Sequence, residues 1–149
     1  MSSPENASGN FPAPTPDVRV RLLAGLLVVA IFTPLGIART LSPARSGLGT
    51  HQQLGLPPCS MRVLFDMRCP ACGMTTSWSH WTRGQWWASA RANVGGAALA
   101  CLAVAVAIVA GRSVWTGHQP PPATNYRIGW AIIAVGGITM VDWMVRLSL

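Results

Sequence analysis

The chain has 149 residues, of which 50% are hydrophobic and only 10% are charged, and its mean hydropathy is +0.37. A soluble domain of this size has roughly 25% charged residues, so the composition excludes an ordinary soluble domain and predicts an integral membrane protein. The net charge of +7 comes from 11 arginines, with no lysine, set against 4 acidic residues. Because these arginines are scattered along the chain, they suit an anionic lipid surface, and we expect no nucleic-acid partner.

Residues 1–18 are rich in Ser, Pro, Asn and Gly and contain almost nothing that a folded core would bury. This composition predicts a disordered N-terminal tail, followed by a single membrane domain over residues 19–149. The arginines and the apolar run after the tail also resemble a signal peptide. The polar lead is long, however, and no convincing cleavage site follows Ala38, so we expect an uncleaved membrane anchor.

Three stretches are long and apolar enough to cross a bilayer, for which a helix needs about 20 residues. They cover about residues 22–38, 92–111 and 128–147, and the second contains no charge at all. The third carries Asp142 and Arg146, whose four-residue spacing favours a local ion pair over a proton relay. We therefore predict an all-α integral membrane protein with three transmembrane helices, embedded in the lipid bilayer.

The second predicted span carries a face of small residues at steps of three and four. Such a face lets another helix approach closely, so it predicts packing either within the helix bundle or against another copy or another membrane protein. The residues on this face are Gly96, Ala100, Ala103, Ala107 and Gly111.

The connector over residues 39–91 holds most of the chemistry of the chain. It contains three of the four cysteines, two of the three histidines and four of the seven tryptophans, namely Cys59, Cys69, Cys72, His51, His80, Trp78, Trp81, Trp86 and Trp87. Few charges occur in the stretch LGLPPCSMRVLFDM, and tryptophan is favoured at the level of the lipid headgroups. We expect short helices here that lie at the membrane interface, and we refer to residues 39–91 as the cysteine loop.

Local signals predict one short helix after the second cysteine of the pair. Pro70 and Gly73 favour a turn, Thr75 or Thr76 is typical of a helix N-cap, and Gly84 is typical of the residue that follows a helix. A further helix is expected from GQWWASARANVGG into the second span. These signals alone favour a structural turn at the membrane surface.

The segment that contains these residues resembles a family of small bacterial membrane proteins called domain of unknown function 2752. The resemblance covers about residues 51–110 and rests on a Cys, a Cys-Pro-x-Cys-Gly-x-Thr motif, a Gly in a turn, and an Arg-x-Asn that leads into an apolar helix. In this chain those residues are Cys59, Cys69, Pro70, Cys72, Gly73, Thr75, Gly84, Arg91 and Asn93. The resemblance implies a small integral membrane protein and assigns no activity.

Metal binding is one function that the cysteines suggest. The C-x2-C spacing of Cys69 and Cys72 lets two thiolates hold one tetrahedral zinc ion, with Cys59 as a third ligand. His80 is preferred over His51 as a fourth ligand because it is nearer to the pair in the chain. An iron-sulfur cluster needs four thiolates in most cases. The fourth cysteine, Cys101, lies within the second span and is too far away to complete such a cluster.

Two other functions remain open at the level of the sequence. Cys69 and Cys72 form a CxxC motif, as in thiol-disulfide redox proteins, although no strand-helix alternation surrounds it. Alternatively, the cysteines pack as small apolar groups and the chain serves as a noncatalytic structural or interaction module. We favour the noncatalytic module, because no recognisable catalytic constellation is present.

The distribution of arginines predicts the membrane topology. With three spans, the cysteine loop and the C-terminus share one side of the membrane, and that side carries more arginines than the other. The positive-inside rule then predicts a cytoplasmic cysteine loop in a bacterial inner membrane, where thiols stay reduced.

Overall fold

The computed structural model describes residues 15–148, and all regular elements in that range are helices. Three of them are long and apolar enough to cross a membrane, with 23, 23 and 27 residues, and the cysteine loop lies between the first and the second. The prediction of an all-α protein with this order of elements is confirmed. The helices are α1 (Val18–Thr40), α2 (Ser60–Phe65), α3 (Met74–Trp81), α4 (Trp86–Ala92), α5 (Val94–Thr116) and α6 (Pro122–Ser148), and a 3-10 helix covers Thr50–Leu54.

The helices α1 and α5 run past the predicted ends of their spans, to Thr40 and Thr116, and three further differences concern helix starts. Most of the predicted tail, residues 1–14, lies outside the described residues, and Val18 already belongs to α1. The expected continuous helix into the second span is interrupted at Asn93, which has an extended backbone and caps α5. Pro122 starts α6 earlier than predicted, since proline is favoured at the first position of a helix.

The long helix α5 packs against both α1 and α6 and lies between them. Gly95 permits the approach of α6, because a Cβ atom there would overlap the side chain of Thr139. Gly96, Ala100 and Ala107 of the predicted small-residue face are buried within the chain. Packing inside the bundle therefore accounts for these three residues, whereas Gly111 is exposed.

The long helices present large apolar side chains to their surroundings. Only 11% of the apolar window of α1 and 28% of that of α5 are buried, and none of the window of α6 is buried. In lipid this exposure is favourable, because the acyl chains are as apolar as the side chains. Asp142 and Arg146 form the expected ion pair within α6, with 2.9 Å between Oδ2 and Nε. These features support an integral membrane protein.

The cysteine loop covers one end of the three long helices. The indole N–H of Trp143 near the end of α6 donates to the carbonyl of Arg68 at 2.6 Å, and Arg146 donates to the carbonyl of Ala92 at 2.8 Å. At the opposite end, the N–H of Asp17 donates to the carbonyl of Gly117. The cysteine loop and the end of α6 therefore lie together, as the three-span arrangement requires.

Candidate metal site in the cysteine loop

Buried polar side chains hold the cysteine loop in one arrangement. Each of these side chains has a hydrogen-bond partner among the described residues, so none carries an unpaid desolvation cost. Ser77 Oγ, for example, contacts Ser89 Oγ at 2.9 Å and donates to the carbonyl of Asn93 at 3.1 Å. The buried polar residues of this end are Thr50, Thr76, Ser77, Ser79, Ser89 and Asn93.

Asn93 connects the turn of the cysteine pair to the second long helix. Its Oδ1 accepts from the N–H of Gly96 at 2.6 Å and so caps α5. Its Nδ2 donates to the carbonyls of Pro70 and Cys72, both at 3.1 Å. The side chain is only 2% exposed. One amide therefore fixes both the start of α5 and the position of the cysteine pair.

Gly73 is required by its backbone conformation and by its surroundings. It immediately precedes α3, and its φ of 86° lies in the left-handed region. A Cβ atom would lie 2.6 Å from the carbonyl oxygen of Ala92 and 2.9 Å from that of Gly47. Only glycine combines this conformation with such close backbone contacts. The predicted turn at Gly73 is therefore a close-packed one.

Arg83 fastens the end of α1 to α3. One guanidinium nitrogen donates to the carbonyl and the hydroxyl of Ser79, at 2.7 and 2.6 Å. The other donates to the carbonyls of Arg39 and Leu41, at 2.8 and 2.7 Å. A planar group with several fixed N–H donors suits this bridge between two chain segments.

Three cysteines converge on one point of this scaffold. The Sγ atoms of Cys59, Cys69 and Cys72 all lie within 4.8 Å of one another. Cys69 and Cys72 belong to one turn, in which the N–H of Cys72 donates to the carbonyl of Cys69 at 3.0 Å. Their Sγ atoms are 3.1 Å apart, and the N–H of Cys69 donates to Sγ of Cys72 at 3.3 Å. Cys59 is the residue just before α2. All three are free thiols and half-buried.

The surroundings of the thiols shift their acidity in opposite directions. Hydrogen bonding from the Arg62 backbone N–H lowers the pKa of Cys59 below its usual value, and the neighbouring Cys69 adds to this effect. Burial raises the pKa of Cys69 to about 12, and the hydrogen bonds and negative charge of the neighbouring cysteines act in the same direction. Three close thiols cannot all ionise without a cation between them, since like charges oppose each other.

A cavity of about 380 Å³ opens onto the three thiols. Polar groups and sulfur atoms share its wall with apolar side chains, so it differs from the largely apolar surfaces of the long helices. Besides the cysteines, its lining includes Leu48, His51, Gln52, Leu56, Arg62, Met74, Thr75 and Trp78. The cavity brings ligand-type side chains to the open side of the cysteine cluster.

The two candidate histidines occupy different places. His51 lies in the 3-10 helix and lines the cavity of the three thiols. His80 lies near the end of α3, where its Nδ1 contacts Oε1 of Gln85 at 2.5 Å. Neither belongs to the group of ligand atoms within 4.8 Å, and only His51 faces the same cavity.

The prediction that a threonine caps α3 is wrong. The helix begins at Met74, directly after Gly73, and no side chain among the described residues caps it. Thr75 lies within the first turn and lines the cavity, while the buried Thr76 bonds to Thr50 Oγ1 at 2.8 Å. Threonine preference at N-caps is outweighed here by the left-handed Gly73, which takes the N-cap position two residues before Thr75.

The other residues of the motif have structural surroundings. The carbonyl of Pro70 is one of the two acceptors of Asn93, and Gly84 has a φ of 73° in the turn after α3. The guanidinium of Arg91 lies 5.2 Å from the ring centre of Trp87, a cation-π contact. These contacts shape the loop, and Pro70 does so from within the turn of Cys69 and Cys72.

Two tryptophans fasten α3 to α5. The indole N–H of Trp78 donates to the carbonyl of Gly96 at 2.9 Å, and that of Trp81 donates to Sγ of Cys101 at 3.4 Å. Residues three apart share a helix face, and the two indole groups accordingly bond to the same helix. Cys101 is thereby placed away from the three clustered thiols.

Sequence reasoning missed the donors that hold the loop. Arg83 and the amide of Asn93 bond to backbone carbonyls, which leave no pattern of side-chain types in the sequence. The run of small hydroxyl residues Thr75, Thr76, Ser77 and Ser79 was the available signal, since buried hydroxyls on a short helix need partners.

Comparison with known families agrees with the resemblance drawn from the motif. The family model described as Protein of unknown function (DUF2752) matches residues 59–107, a segment that runs from the first clustered cysteine into α5. This match confirms the resemblance to that family. No curated protein and no solved structure matches the chain.

Proposed function

We propose that this chain is a membrane protein whose cysteine loop binds one thiophilic metal ion, with zinc preferred, through Cys59, Cys69 and Cys72. The observation that carries the proposal is the convergence of three Sγ atoms within 4.8 Å. Tetrahedral zinc with Zn–S bonds of about 2.3 Å separates its thiolates by about 3.8 Å. The Cys69 and Cys72 sulfur atoms are 3.1 Å apart and no pair in the cluster exceeds 4.8 Å, so all the separations lie within about 1 Å of what the ion requires or closer.

The electrostatics of the cluster favour a bound cation. Burial and the proximity of the other thiols raise the pKa of Cys69, which means that they make its ionisation costly. A divalent cation between the sulfur atoms offsets this cost of ionisation, because its positive charge stabilises the thiolates and the bound thiols lose their protons. Soft thiolate ligands select zinc or copper(I) over magnesium or calcium. Three thiolates are one fewer than an iron-sulfur cluster needs in most cases.

The role of the metal is to hold the loop, in a protein that is otherwise noncatalytic. The proposed ligands come from two places in the chain, one before α2 and a pair before α3. An ion shared by these segments would join them much as a disulfide does, without requiring an oxidising compartment. Self-association through the second long helix stays a prediction, for which Gly111 is the exposed part of the small-residue face.

The loop would lie at the membrane interface on the cytoplasmic side of a bacterial inner membrane. In support, α2 has no buried residue, and Val63, Leu64 and Phe65 are each more than 60% exposed next to the exposed Arg62. Such a segment suits the boundary between acyl chains and anionic headgroups. A fluorescent-protein fusion at the C-terminus should fluoresce, because the end of α6 lies on the same side of the membrane as the loop. If that fusion is dark and a phosphatase fused at the same position is active in the periplasm, the cytoplasmic placement is contradicted.

The decisive experiment measures metal content in protein purified without oxygen and without chelating resin. Wild type should carry close to one zinc per chain, and replacing any clustered cysteine with serine should remove most of it. Cys101→Ser is the matched control, because Cys101 lies outside the cluster, and it should keep the metal. Wild-type protein with four free thiols that takes up neither zinc nor copper(I) on titration would overturn the proposal.

A second candidate function is thiol-disulfide exchange, favoured by the 3.1 Å separation of the Cys69 and Cys72 sulfur atoms. The pair would lose two protons and two electrons to a disulfide of a partner protein, which becomes a dithiol. The raised pKa of Cys69 opposes this role, because the thiolate is the attacking species. Metal-free protein that lacks two titratable thiols would favour redox exchange over metal binding.

A further inference from the structure

The fourth ligand position of the proposed metal site can be assigned from the path of the loop. Both candidate histidines lie eight residues from the nearest clustered cysteine, His51 before Cys59 and His80 after Cys72. His80 is nearer to the pair Cys69 and Cys72, but distance to the nearest of the three thiols does not distinguish the two histidines. The conformation of the intervening segments does.

A helix carries His80 away from the thiols. The segment from Met74 to Trp81 is α-helical, and each residue advances about 1.5 Å along the axis, so His80 lies about 9 Å beyond the start of α3. Its imidazole is also engaged by Gln85. To form a ligand bond of about 2 Å to a metal among the three cysteines, the imidazole would have to leave Gln85 and reach back across this length of helix.

The 3-10 helix that contains His51, by contrast, lies next to the cavity of the three thiols. Gly49 and Gly55 bound the 3-10 helix, and both have left-handed backbones, with φ of 88° and 76°. These turns and the two prolines before Cys59 bring His51 to the cavity onto which Cys59, Cys69 and Cys72 open.

The backbone beside His51 is fixed, and its imidazole is free to turn. Thr50 is fully buried, and its Oγ1 bonds to Thr76 Oγ1 and accepts from the N–H of Ala44 at 3.0 Å. The half-buried ring of His51 has no hydrogen-bond partner within residues 15–148. A fixed backbone with an uncommitted ring is the arrangement that a metal ligand needs, because binding then orders only the side chain.

We infer that His51 is the fourth ligand and closes the site as Cys3His around zinc, an inference that rests on the proposed metal function. Rotation of the imidazole toward the cavity completes a tetrahedron of three sulfur atoms and one nitrogen. Closed sites of this composition are structural, whereas catalytic zinc keeps one position for water or substrate. The metal then ties together three segments, namely the 3-10 helix, the start of α2 and the turn before α3.

The test uses the intact protein in detergent, loaded with zinc or with cobalt(II) as a spectroscopic probe. His51→Ala should raise the zinc dissociation constant at least about tenfold and weaken the tetrahedral cobalt bands, since even outer ligand partners contribute 10- to 100-fold. His80→Ala is the matched control and should change neither. His51→Cys should restore tight binding and strengthen the sulfur-to-cobalt charge-transfer absorption.

The outcomes separate this inference from the proposed function. If wild type binds metal and both His51 variants keep its affinity and cobalt spectrum, the assignment of His51 is overturned while the three-cysteine site stands. If His51→Ala fails to fold, the His51→Cys spectrum decides: added sulfur intensity supports the assignment, and an unchanged spectrum overturns it. Wild type that binds no metal overturns both.

Discussion

The membrane helices and the cysteine loop are stabilised in opposite ways. The long helices expose most of their apolar side chains, and their buried contacts are made largely by alanine and glycine. The loop instead buries hydroxyl and amide groups that bond to one another and to backbone carbonyls. Lipid replaces an apolar core for the helices, whereas the loop needs directional bonds because most of its large apolar side chains are not buried. A site with fixed geometry therefore belongs in the loop.

The largest effect is expected when a methyl group is added to the closely packed glycine of the loop. Gly73→Ala should lower the free energy of unfolding by about 3 kcal/mol or more, through the left-handed backbone and the overlap with the carbonyls of Ala92 and Gly47. Gly84→Ala is the matched control, because it shares the left-handed backbone and has open space around its Cβ position. It should cost about 1 kcal/mol. Denaturant titration in detergent measures both, and equal losses would show that Gly73 is not closely packed.

The next test separates the two roles of Asn93. Asn93→Asp keeps an oxygen that caps α5 but removes the N–H groups that bond to Pro70 and Cys72. We expect a loss of about 2 kcal/mol in unfolding free energy and zinc binding weaker by about tenfold. The exposed Asn125, at the other end of the bundle, provides a control as Asn125→Asp, which should leave both quantities unchanged. Unchanged zinc affinity in Asn93→Asp would show that the amide N–H groups of Asn93 are not needed to position the cysteine pair for metal binding.

A smaller effect is expected where the loop meets α1. Arg83→Lys should cost about 1–2 kcal/mol, since an ammonium group cannot reproduce the guanidinium bonds to Ser79, Arg39 and Leu41. Arg91→Lys should cost less than about 0.5 kcal/mol, because lysine keeps a cation over the exposed Trp87 ring. Thermal unfolding in detergent compares them. Similar stability of the two variants would contradict the role of Arg83 as a hydrogen-bonded bridge between α1 and α3.

Much of the fold could be predicted because it follows from composition along the chain. The stretch 22–38 lies within α1, and the ion pair in α6 follows from a four-residue spacing. Helix ends were less predictable: Pro122 starts α6 and Asn93 interrupts the expected helix, because single residues with special backbone or capping properties decide such points.

The site was only partly predictable, for a similar reason. The pair Cys69 and Cys72 is visible as a motif, and Cys59 was the nearest further thiol. The proposed choice of His51 over His80 depends on whether the chain between histidine and cysteine runs straight or turns back. That information resides in glycine conformations and in the packing of Thr50 against Thr76, which depend on the folded loop.

X-ray absorption at the zinc edge of the purified wild-type protein tests the central claim most directly. Three sulfur atoms at about 2.3 Å and one nitrogen at about 2.0 Å are the coordination that this account predicts. Cys59→Ser should lower the sulfur number to two or abolish binding, while Cys101→Ser should leave the spectrum unchanged. A zinc ion surrounded only by oxygen and nitrogen, with the cysteines still open to alkylation, would contradict the account.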